Sequence, residues 1–351
     1  TNTIEDIFSR YELIEQRIPK PEEVKDIFND YIGRPTALTR MLDSDGKVLT
    51  VFDKFTASVG VQNEWTASTY EKFATVRKHL EEFDPELMMS DVDTYTMEKY
   101  LAHLHKLKLA NTTIAKNLSF VRWFFRWAAT NGIYKGNIHE TFKPRLKGTS
   151  VDSREIIYLT QDEIKKLQEH HFAKKEEALE RVCDVFLFCC FTGLRYSDAA
   201  KLKRTDVKNG YVSVVTKKTV DSLKIELNRH SKAILDKYKD KKFPNGLALP
   251  VISNEKMNEH LKVLGQVCGI DDPTRIVYFK GATRYEEVYP KWALLTTHCA
   301  RRTFVVTALQ LGIPAEVVMK WTGHANFQTM KPYIAIVDTL KEKSMALFDG
   351  I

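Results

Sequence analysis

The stretch Thr192-Gly-Leu-Arg-Tyr-Ser-Asp198 decides how the second half of this 351-residue sequence is interpreted. It follows the apolar run Val185-Phe-Leu-Phe-Cys-Cys-Phe191, which predicts a buried helix that ends at Gly193. Arg195 comes directly after that helix end, and Asp198 lies three residues further, on the same helical face. A guanidinium is a natural bidentate ligand of phosphate, and a nearby carboxylate would fix its rotamer. The same pair also fits an ordinary surface ion pair, so both interpretations stay open here.

A second basic pair opens another predicted helix further along the chain, in His298-Cys-Ala-Arg-Arg-Thr303. The spacing places the imidazole of His298 and the guanidinium of Arg301 on one face, about one turn apart. That arrangement suits a phosphate held by arginine and a proton moved by histidine. A helix start with incidental bases is the alternative.

A Gly-His turn is followed nine residues later by a tyrosine, in Thr322-Gly-His-Ala-Asn-Phe-Gln-Thr-Met-Lys-Pro-Tyr333. A single tyrosine is most often a core or interface aromatic. Close to several cations, however, the phenolate of Tyr333 would be stabilised, and the side chain could act as a nucleophile. His324 would belong to the same group of basic residues.

Two alternating stretches predict a β-hairpin between these motifs, at residues 211–216 and 223–227. The segment between them, Lys217-Lys-Thr-Val-Asp-Ser222, makes its turn basic. It is the one strand region expected in a second domain that is otherwise helical. That domain begins near residue 155, where Thr160-Gln-Asp-Glu163 is the capping box of a first helix.

Taken in order, these motifs resemble the tyrosine recombinase family of the phage-integrase type. The order is arginine with RxxD, hairpin lysine, HxxR, Gly-His and tyrosine, and the resemblance extends from about residue 47. The stretches 193–198 and 331–336 are most similar to integrases of Bacteroides-type conjugative or mobilisable transposons.

The resemblance implies a catalytic set with Tyr333 as the nucleophile. Its members are Arg195, Lys218, His298, Arg301, His324 and Tyr333, with Asp198 in support. The family usually has glutamate where Asp198 stands, so this shorter carboxylate must sit closer to its arginine. The hairpin lysine is either Lys217 or Lys218. Lys218 is preferred because Lys-Thr resembles the family's turn, and Lys224 fits less well.

The resemblance also implies the activity: a site-specific DNA recombinase, the integrase or transposase of a mobile element. Such an enzyme forms a 3′-phosphotyrosyl intermediate and a Holliday junction, and it needs no metal, ATP or other cofactor. It acts on double-stranded DNA as a tetramer, with accessory DNA-bending or directionality proteins as further candidate partners. A type IB topoisomerase-like nicking-closing enzyme is the alternative. The expected location is the bacterial cytoplasm, at the nucleoid, with no membrane partner.

The expected fold class is mainly α with a small β-hairpin sheet. Residues 47–147 predict a helical core-binding domain, 148–157 a linker, and 158–351 a catalytic domain with a C-terminal tail. Residues 1–46 are an attachment segment or the remnant of an arm-binding domain. Four helices are expected in the core-binding domain, at 51–59, from Ser68 or Thr69 through 80, at 96–108 and at 111–130, the last one capped by Asn111 or Thr112.

The charge distribution supports a polyanionic partner more than the total of +7 does. Residues 101–147 hold nine Lys/Arg and one acid, and residues 201–242 hold thirteen bases and five acids, so each stretch carries +8. A solvated surface is the ordinary explanation of such a run, and nucleic-acid contact is the other. The candidate DNA-binding residues are Lys116, Arg122, Arg126, Lys143, Arg145, Lys147, Lys201, Lys203, Arg204 and Lys217.

Several other classes of protein lack support in the sequence. It has no GxxxxGKS/T loop, no GxGxxG after a strand, no HExxH and no DxDxDG loop, which argues against nucleotide hydrolysis and the common zinc or calcium sites. No apolar run approaches the about 18 residues of a membrane span, and the first residues do not resemble a signal peptide. The five cysteines form no CxxC pair and are expected to be buried free thiols.

Overall fold

The computed structural model describes residues 46–150, 155–215, 222–324 and 326–337, together with scattered positions between Glu5 and Phe28. The chain divides into two compact units. The first comprises Thr1–Thr149 and Tyr278–Tyr285, and the second comprises Ser150–Val277 and Glu286–Ile351. The hairpin-turn lysines at 217 and 218 and the tail from residue 338 lie outside the described residues, as does most of the attachment segment.

The described part of the first unit is helical. Its helices are α1 (Val48–Gln62), α2 (Ala67–Phe83), α3 (Thr94–Lys106), α4 (Asn111–Thr130) and α5 (Ile138–Thr141), with a 3₁₀ turn at Met89–Asp91. All four predicted helices are present; α4 has the predicted bounds, and the ends of the other three are shifted. Helix α2 begins after Thr66 rather than at Ser68 or Thr69. Helix α3 begins two residues early because Asp93 caps it, accepting the backbone N–H of Thr96 at 2.8 Å.

Aromatic side chains from α1, α2 and α4 form the core of the first unit. Phe52 packs edge-on against Phe124 with ring centroids 5.1 Å apart, and Phe55 packs against Phe73 at 5.6 Å. All four side chains are at most 1% exposed. Each buried ring contributes about 1.5–3 kcal/mol relative to an exposed one, so this cluster holds the helices together. Ile114, Leu118 and Val121 of α4 are buried, whereas Lys116 and Arg126 on the other side of the helix are exposed.

The expected cap of α4 by the side chain of Asn111 is not formed. The N-cap residue is Ala110. The Asn111 amide instead binds backbone within the first unit. Its Nδ2 donates to the carbonyls of Gly281 at 2.9 Å and Lys147 at 3.1 Å, and its Oδ1 accepts the N–H of Gly281 at 2.8 Å. Asn111 is 1% exposed, so these bonds satisfy an amide that water does not reach.

The second unit combines helices with short antiparallel strands. Its helices are α6 (Gln161–Glu169), α7 (Glu177–Thr192), α8 (Tyr196–Ala199), α9 (Arg229–Tyr238), α10 (Asn254–Val267), α11 (Thr297–Gln310), α12 (Ala315–Thr322) and α13 (Lys331–Ile334). Five 3₁₀ turns are described, at Lys174–Glu176, Arg204–Asp206, Pro244–Gly246, Lys291–Leu294 and Phe327–Thr329. The predicted capping box of α6 is confirmed, since the side chains of Thr160 and Glu163 bond each other's backbone N–H groups.

The predicted hairpin is present as β2 (Tyr211–Val215) and β3 (Ser222–Glu226), which pair antiparallel with Val212 opposite Ile225. A short strand β1 (Val207–Lys208) adds to β2. The prediction of one strand region is wrong, because a second hairpin is formed by β4 (Pro273–Lys280) and β5 (Thr283–Pro290). Residues 278–285 at its tip are those counted with the first unit. The mainly α class with small sheets is confirmed.

Helix α7 forms the centre of the second unit. Its C-terminal half is apolar on all sides, and Val185, Phe186 and Phe188 are at most 1% exposed. Its C-terminal end is therefore inside the protein, where the last carbonyls need protein partners. A smaller cluster joins α11, α12 and α13 through residues such as Val306, Val318 and Met330. Among the described residues, no helix is long and apolar enough to cross a membrane.

Candidate active site

The guanidinium of Arg301 lies between the C-terminal ends of two helices. Its Nη1 donates to the carbonyl of Gly193, just past α7, at 2.8 Å, and its Nη2 donates to the carbonyl of Thr322, the last residue of α12. Arg301 is 3% exposed. Helix C-termini carry partial negative charge and carbonyls without helical partners, so they compensate a buried cation. Burial, helped by the charge of Arg195, lowers the pKa of Arg301 to about 10 and leaves it charged at neutral pH.

Both helix ends depend on glycine. Gly193 has φ +71°, and a Cβ there would lie 2.5 Å from the ring of Phe304. Gly323 has φ +62°, and the turn it makes lets the N–H of His324 bond the carbonyl of Met319 at 3.2 Å. Left-handed backbone is easy for glycine and costly for other residues. The two glycines therefore set where Arg301 finds its carbonyls and where His324 lies.

Arg195 and Asp198 stand as the sequence spacing indicates. Arg195 is the N-cap residue of α8, and Asp198 is 4% exposed. Arg195 Nη1 lies 3.9 Å from Asp198 Oδ2, an ion-pair distance that is too long for a hydrogen bond. Nη1 is buried and has no hydrogen-bond partner among the described residues. It is a charged donor available to an anionic acceptor.

His324 is held on both ring nitrogens. Its Nδ1 lies 2.7 Å from the hydroxyl of Thr322, and its Nε2 lies 3.4 Å from Arg301 Nη2. Burial lowers its pKa to about 4, with the charges of Arg301, Arg195 and His298 acting in the same direction. His324 is therefore a neutral imidazole at neutral pH.

His298 and Tyr333 belong to the same electrostatic cluster. His298 is on α11, one turn before Arg301, and its charge contributes to the low pKa of His324. Tyr333 is half-buried on α13, and its ionisation would raise the pKa of Arg301. Five of the predicted catalytic residues and Asp198 are thus brought together. The sixth, Lys218, is outside the described residues.

The candidate DNA-binding residues divide by exposure and contacts. Lys116, Arg126, Lys143, Arg145, Lys147, Lys201 and Lys203 are exposed, and Lys217 is outside the described residues. Arg122 donates through Nε to the carbonyl of His139 at 3.0 Å. Arg204 donates to the carbonyls of Tyr238, Lys239 and Lys241 at the end of α9. Arg122 and Arg204 therefore stabilise nearby backbone through these hydrogen bonds. Contact of either residue with DNA stays a prediction.

Sequence reasoning missed the partners of Arg301 and His324. The carbonyl of Gly193 is 108 positions from Arg301 in the sequence, and that of Thr322 is 21 positions away. In the sequence Thr322 is only the first residue of the Gly-His motif, whereas in the structure it is fully buried and contacts both Arg301 and His324. The sequence signal that was available is the glycine at each helix end. Gly193 supplies one of the two carbonyls, and Gly323 follows Thr322, which supplies the other.

The side chains that commonly bind metal ions do not form a metal site in the described part of the chain. Among the described residues, no set of three or more His, Cys, Asp or Glu side chains is placed to hold a metal ion. The cysteines are free; Cys183, Cys189, Cys190 and Cys299 are buried. Burial raises the pKa of the Cys189 thiol to about 12 and that of Cys190 far above its ordinary value, so these two thiols are protonated.

Comparison with known proteins identifies the family. Residues 47–144 match the phage integrase SAM-like domain, and residues 158–339 match the phage integrase family. The tyrosine recombinase XerC of Pelotomaculum thermopropionicum is 26% identical over 255 residues, covering 71% of this chain and 79% of that protein. The fold resembles that of the Tn1549 transposon integrase in complex with circular intermediate DNA, with TM-score 0.62, 16% identity and coverage of 82% of this chain and 94% of that one. It also resembles a lambda integrase dimer bound to a COC′ core site, with TM-score 0.58, 17% identity and coverage of 80% and 95%. Because one family model alone matches more than half of the chain, the protein belongs to the phage integrase family.

Proposed function

We propose that the protein cleaves and rejoins double-stranded DNA at specific sites through a covalent 3′-phosphotyrosyl bond to Tyr333. Family membership makes it a tyrosine recombinase, the enzyme class that carries out site-specific recombination. The observation that carries the proposal is the cluster of Arg195, Arg301, His298, His324 and Tyr333. Within it, the buried Nη1 of Arg195 has no hydrogen-bond partner among the described residues.

The two arginines supply the charge that phosphoryl transfer requires. The attack of Tyr333 builds negative charge on the non-bridging oxygens of the scissile phosphate, and preorganised cations stabilise that charge. Arg195 offers its unpartnered Nη1. A guanidinium has five N–H groups, and the described contacts of Arg301 engage one on Nη1 and two on Nη2. The second N–H on Nη1 and the one on Nε remain for the phosphate.

The phosphodiester energy is conserved in the covalent intermediate. The Tyr333 oxygen bonds to phosphorus while the bond from phosphorus to the 5′-oxygen breaks. We assign the proton for that leaving oxygen to Lys218, on the basis of the family resemblance. A 5′-hydroxyl then reverses the step on the same or another strand, so no nucleotide cofactor is needed.

The nicking-closing alternative shares this chemistry but is not favoured, because the curated relatives are named as recombinases. Relaxation of supercoiled plasmid by the chain alone, with no product from two cognate sites, would reverse that preference. Joining of two sites supports recombination.

The finer expectations are proposals as well. We propose that the protein serves a mobile element of the Bacteroides type, in the bacterial cytoplasm, with accessory DNA-bending or directionality proteins. The support is the resemblance of residues 193–198 and 331–336. The fold likeness to the integrase of transposon Tn1549 agrees with a mobile element in general terms.

Four active sites are needed to exchange strands between two duplexes, so we also propose a tetramer on DNA. The second unit has an apolar cavity of about 330 Å³ that would receive an apolar segment of a neighbouring copy. Its lining includes Phe191, Leu227, Phe304, Leu311 and Ile313. Leu311 is 66% exposed, so Leu311→Glu is expected to fold, cleave a single site and fail to recombine two sites. Normal recombination by this variant would remove the cavity from assembly.

The decisive experiment traps the protein on a DNA duplex with a nick beside the cleavage position. The wild type is expected to form a covalent adduct, and mass spectrometry of the digest should place the nucleotide on Tyr333. Tyr333→Phe should form no adduct while binding the duplex within about 3-fold of wild type, because only the nucleophile is removed. Tyr289→Phe, at an exposed tyrosine of β5, is the matched control and should form the adduct normally. An adduct that persists in Tyr333→Phe would show that another residue is the nucleophile.

A further inference from the structure

We infer that Thr322 is a positioning residue that fixes the tautomer of His324 and so leaves its Nε2 without a proton, as an acceptor that faces the guanidinium of Arg301. This inference rests on the proposed cleavage reaction and adds a residue to it. The argument begins at the hydroxyl of Thr322, which is fully buried at the end of α12.

The hydroxyl of Thr322 has a single proton, and its position follows from its neighbours. Thr322 Oγ1 lies 2.6 Å from the carbonyl oxygen of Val318, one turn earlier in α12. Two oxygens at that distance need a proton between them, and a carbonyl can only accept. The hydroxyl therefore donates to Val318 and presents a lone pair to its other neighbour, His324 Nδ1, at 2.7 Å.

The tautomer of His324 follows from that assignment. Because Thr322 Oγ1 can only accept from the ring, Nδ1 must carry the proton. In a neutral imidazole Nε2 then has a lone pair. Arg301 Nη2, which can only donate, lies 3.4 Å from it, so the second contact of the ring agrees with the first. Two independent neighbours thus specify the same tautomer.

The consequence for catalysis concerns the guanidinium of Arg301. The charged groups that act on His324 are Arg301 and His298 from α11 and Arg195 beside α8, and all three oppose a second proton on the ring. With Nδ1–H bonded to Thr322, Nε2 accepts from Arg301 Nη2, so the ring helps to hold the guanidinium that we propose binds the scissile phosphate. The opposite tautomer would direct an N–H at that guanidinium, and the two donors would repel each other.

The test compares two substitutions of Thr322. Thr322→Val keeps the shape of the side chain but removes the acceptor for Nδ1–H, whereas Thr322→Ser keeps the hydroxyl. We expect single-turnover adduct formation to fall by about 10- to 100-fold in Thr322→Val, by analogy with the loss seen when the partner that orients a metal-binding histidine is removed. DNA affinity should stay near that of wild type, and the thermal midpoint should fall by no more than the loss of one or two buried hydrogen bonds accounts for. Thr322→Ser should restore the rate to within about 3-fold.

Two further measurements separate positioning from simple structural damage. The nitrogen chemical shifts of histidine-labelled protein should show Nδ1–H at His324 in wild type and Thr322→Ser, and lose that signature in Thr322→Val. In a His324→Gln background, adding Thr322→Val should cost nothing more, because its effect passes through His324. Additive losses, or a wild-type rate in Thr322→Val, would overturn the inference. Absence of any adduct in wild type would instead overturn the proposed function.

Discussion

Replacing Gly193 by alanine tests whether the end of α7 positions the active site. The backbone there has φ +71°, and left-handed backbone costs a residue with a Cβ about 1–2 kcal/mol. The new Cβ would also lie 2.5 Å from the ring of Phe304, and such overpacking typically costs about 1–3 kcal/mol. We therefore expect the free energy of unfolding to fall by about 2–5 kcal/mol in chemical denaturation. Because the Gly193 carbonyl holds Arg301 at 2.8 Å, adduct formation in the folded fraction should also fall, by about 100-fold for a shift near 1 Å.

Gly312→Ala is the matched control for that prediction. Gly312 also follows a helix, α11, and has φ +82°, but a Cβ there would meet nothing within 4 Å. It should show the backbone cost alone, with near-normal adduct formation. The difference in unfolding free energy between the two variants then measures the contact with Phe304. Equal losses in both variants, or full activity in Gly193→Ala, would refute the assignment of Gly193 to the positioning of Arg301.

Three further predictions concern charge. Arg195→Lys should bind DNA but form adducts about 100-fold more slowly, since lysine cannot present the guanidinium fork; near-normal cleavage measured on the nicked duplex would remove Arg195 from the site. DNA affinity should fall steeply with salt concentration. Replacing Lys116 and Arg126 together by alanine should reduce the slope of log K against log salt concentration by about 2. An unchanged slope would exclude phosphate contacts by both residues. The pKa of His324 is lowered to about 4 in the folded protein, so the unfolded chain binds its proton first as pH falls, and stability should decline between about pH 6.5 and 4. Allowing for partial solvent screening, His324 contributes about 1–2 kcal/mol to that decline, and a denaturation series in which His324→Gln showed the same pH dependence as wild type would contradict it.

The pairs of basic and acidic residues in the candidate site were predictable because the spacing within each motif is local. His298 and Arg301 are three positions apart in one helix, and Arg195 is the N-cap residue of the short helix that contains Asp198, so the spacing alone brings each pair together. What binds Arg301 was not predictable, because carbonyls have no side-chain signature and Gly193 is brought to it by packing of α7 against α11.

The second hairpin was missed for a related reason. Strands β4 and β5 are mostly half-buried or exposed rather than alternating cleanly between buried and exposed positions, so they lack the period-two pattern that revealed β2 and β3. The stacked rings of Tyr278 and Tyr285, 5.2 Å apart, are a cross-strand signal that is visible only once the register is known.

The contact between Asn111 and Gly281 means that chain order and structural order differ in this protein. A fragment that ends at Thr149 would lack residues 278–285 and would leave the buried amide of Asn111 without the two hydrogen bonds it makes to Gly281. Each lost bond to a buried polar group costs about 1–3 kcal/mol, so such a fragment should be less stable than the same residues in the intact chain. A single cut therefore does not yield two complete structural units, and a fragment of the first unit should carry the hairpin tip to retain its own internal bonding.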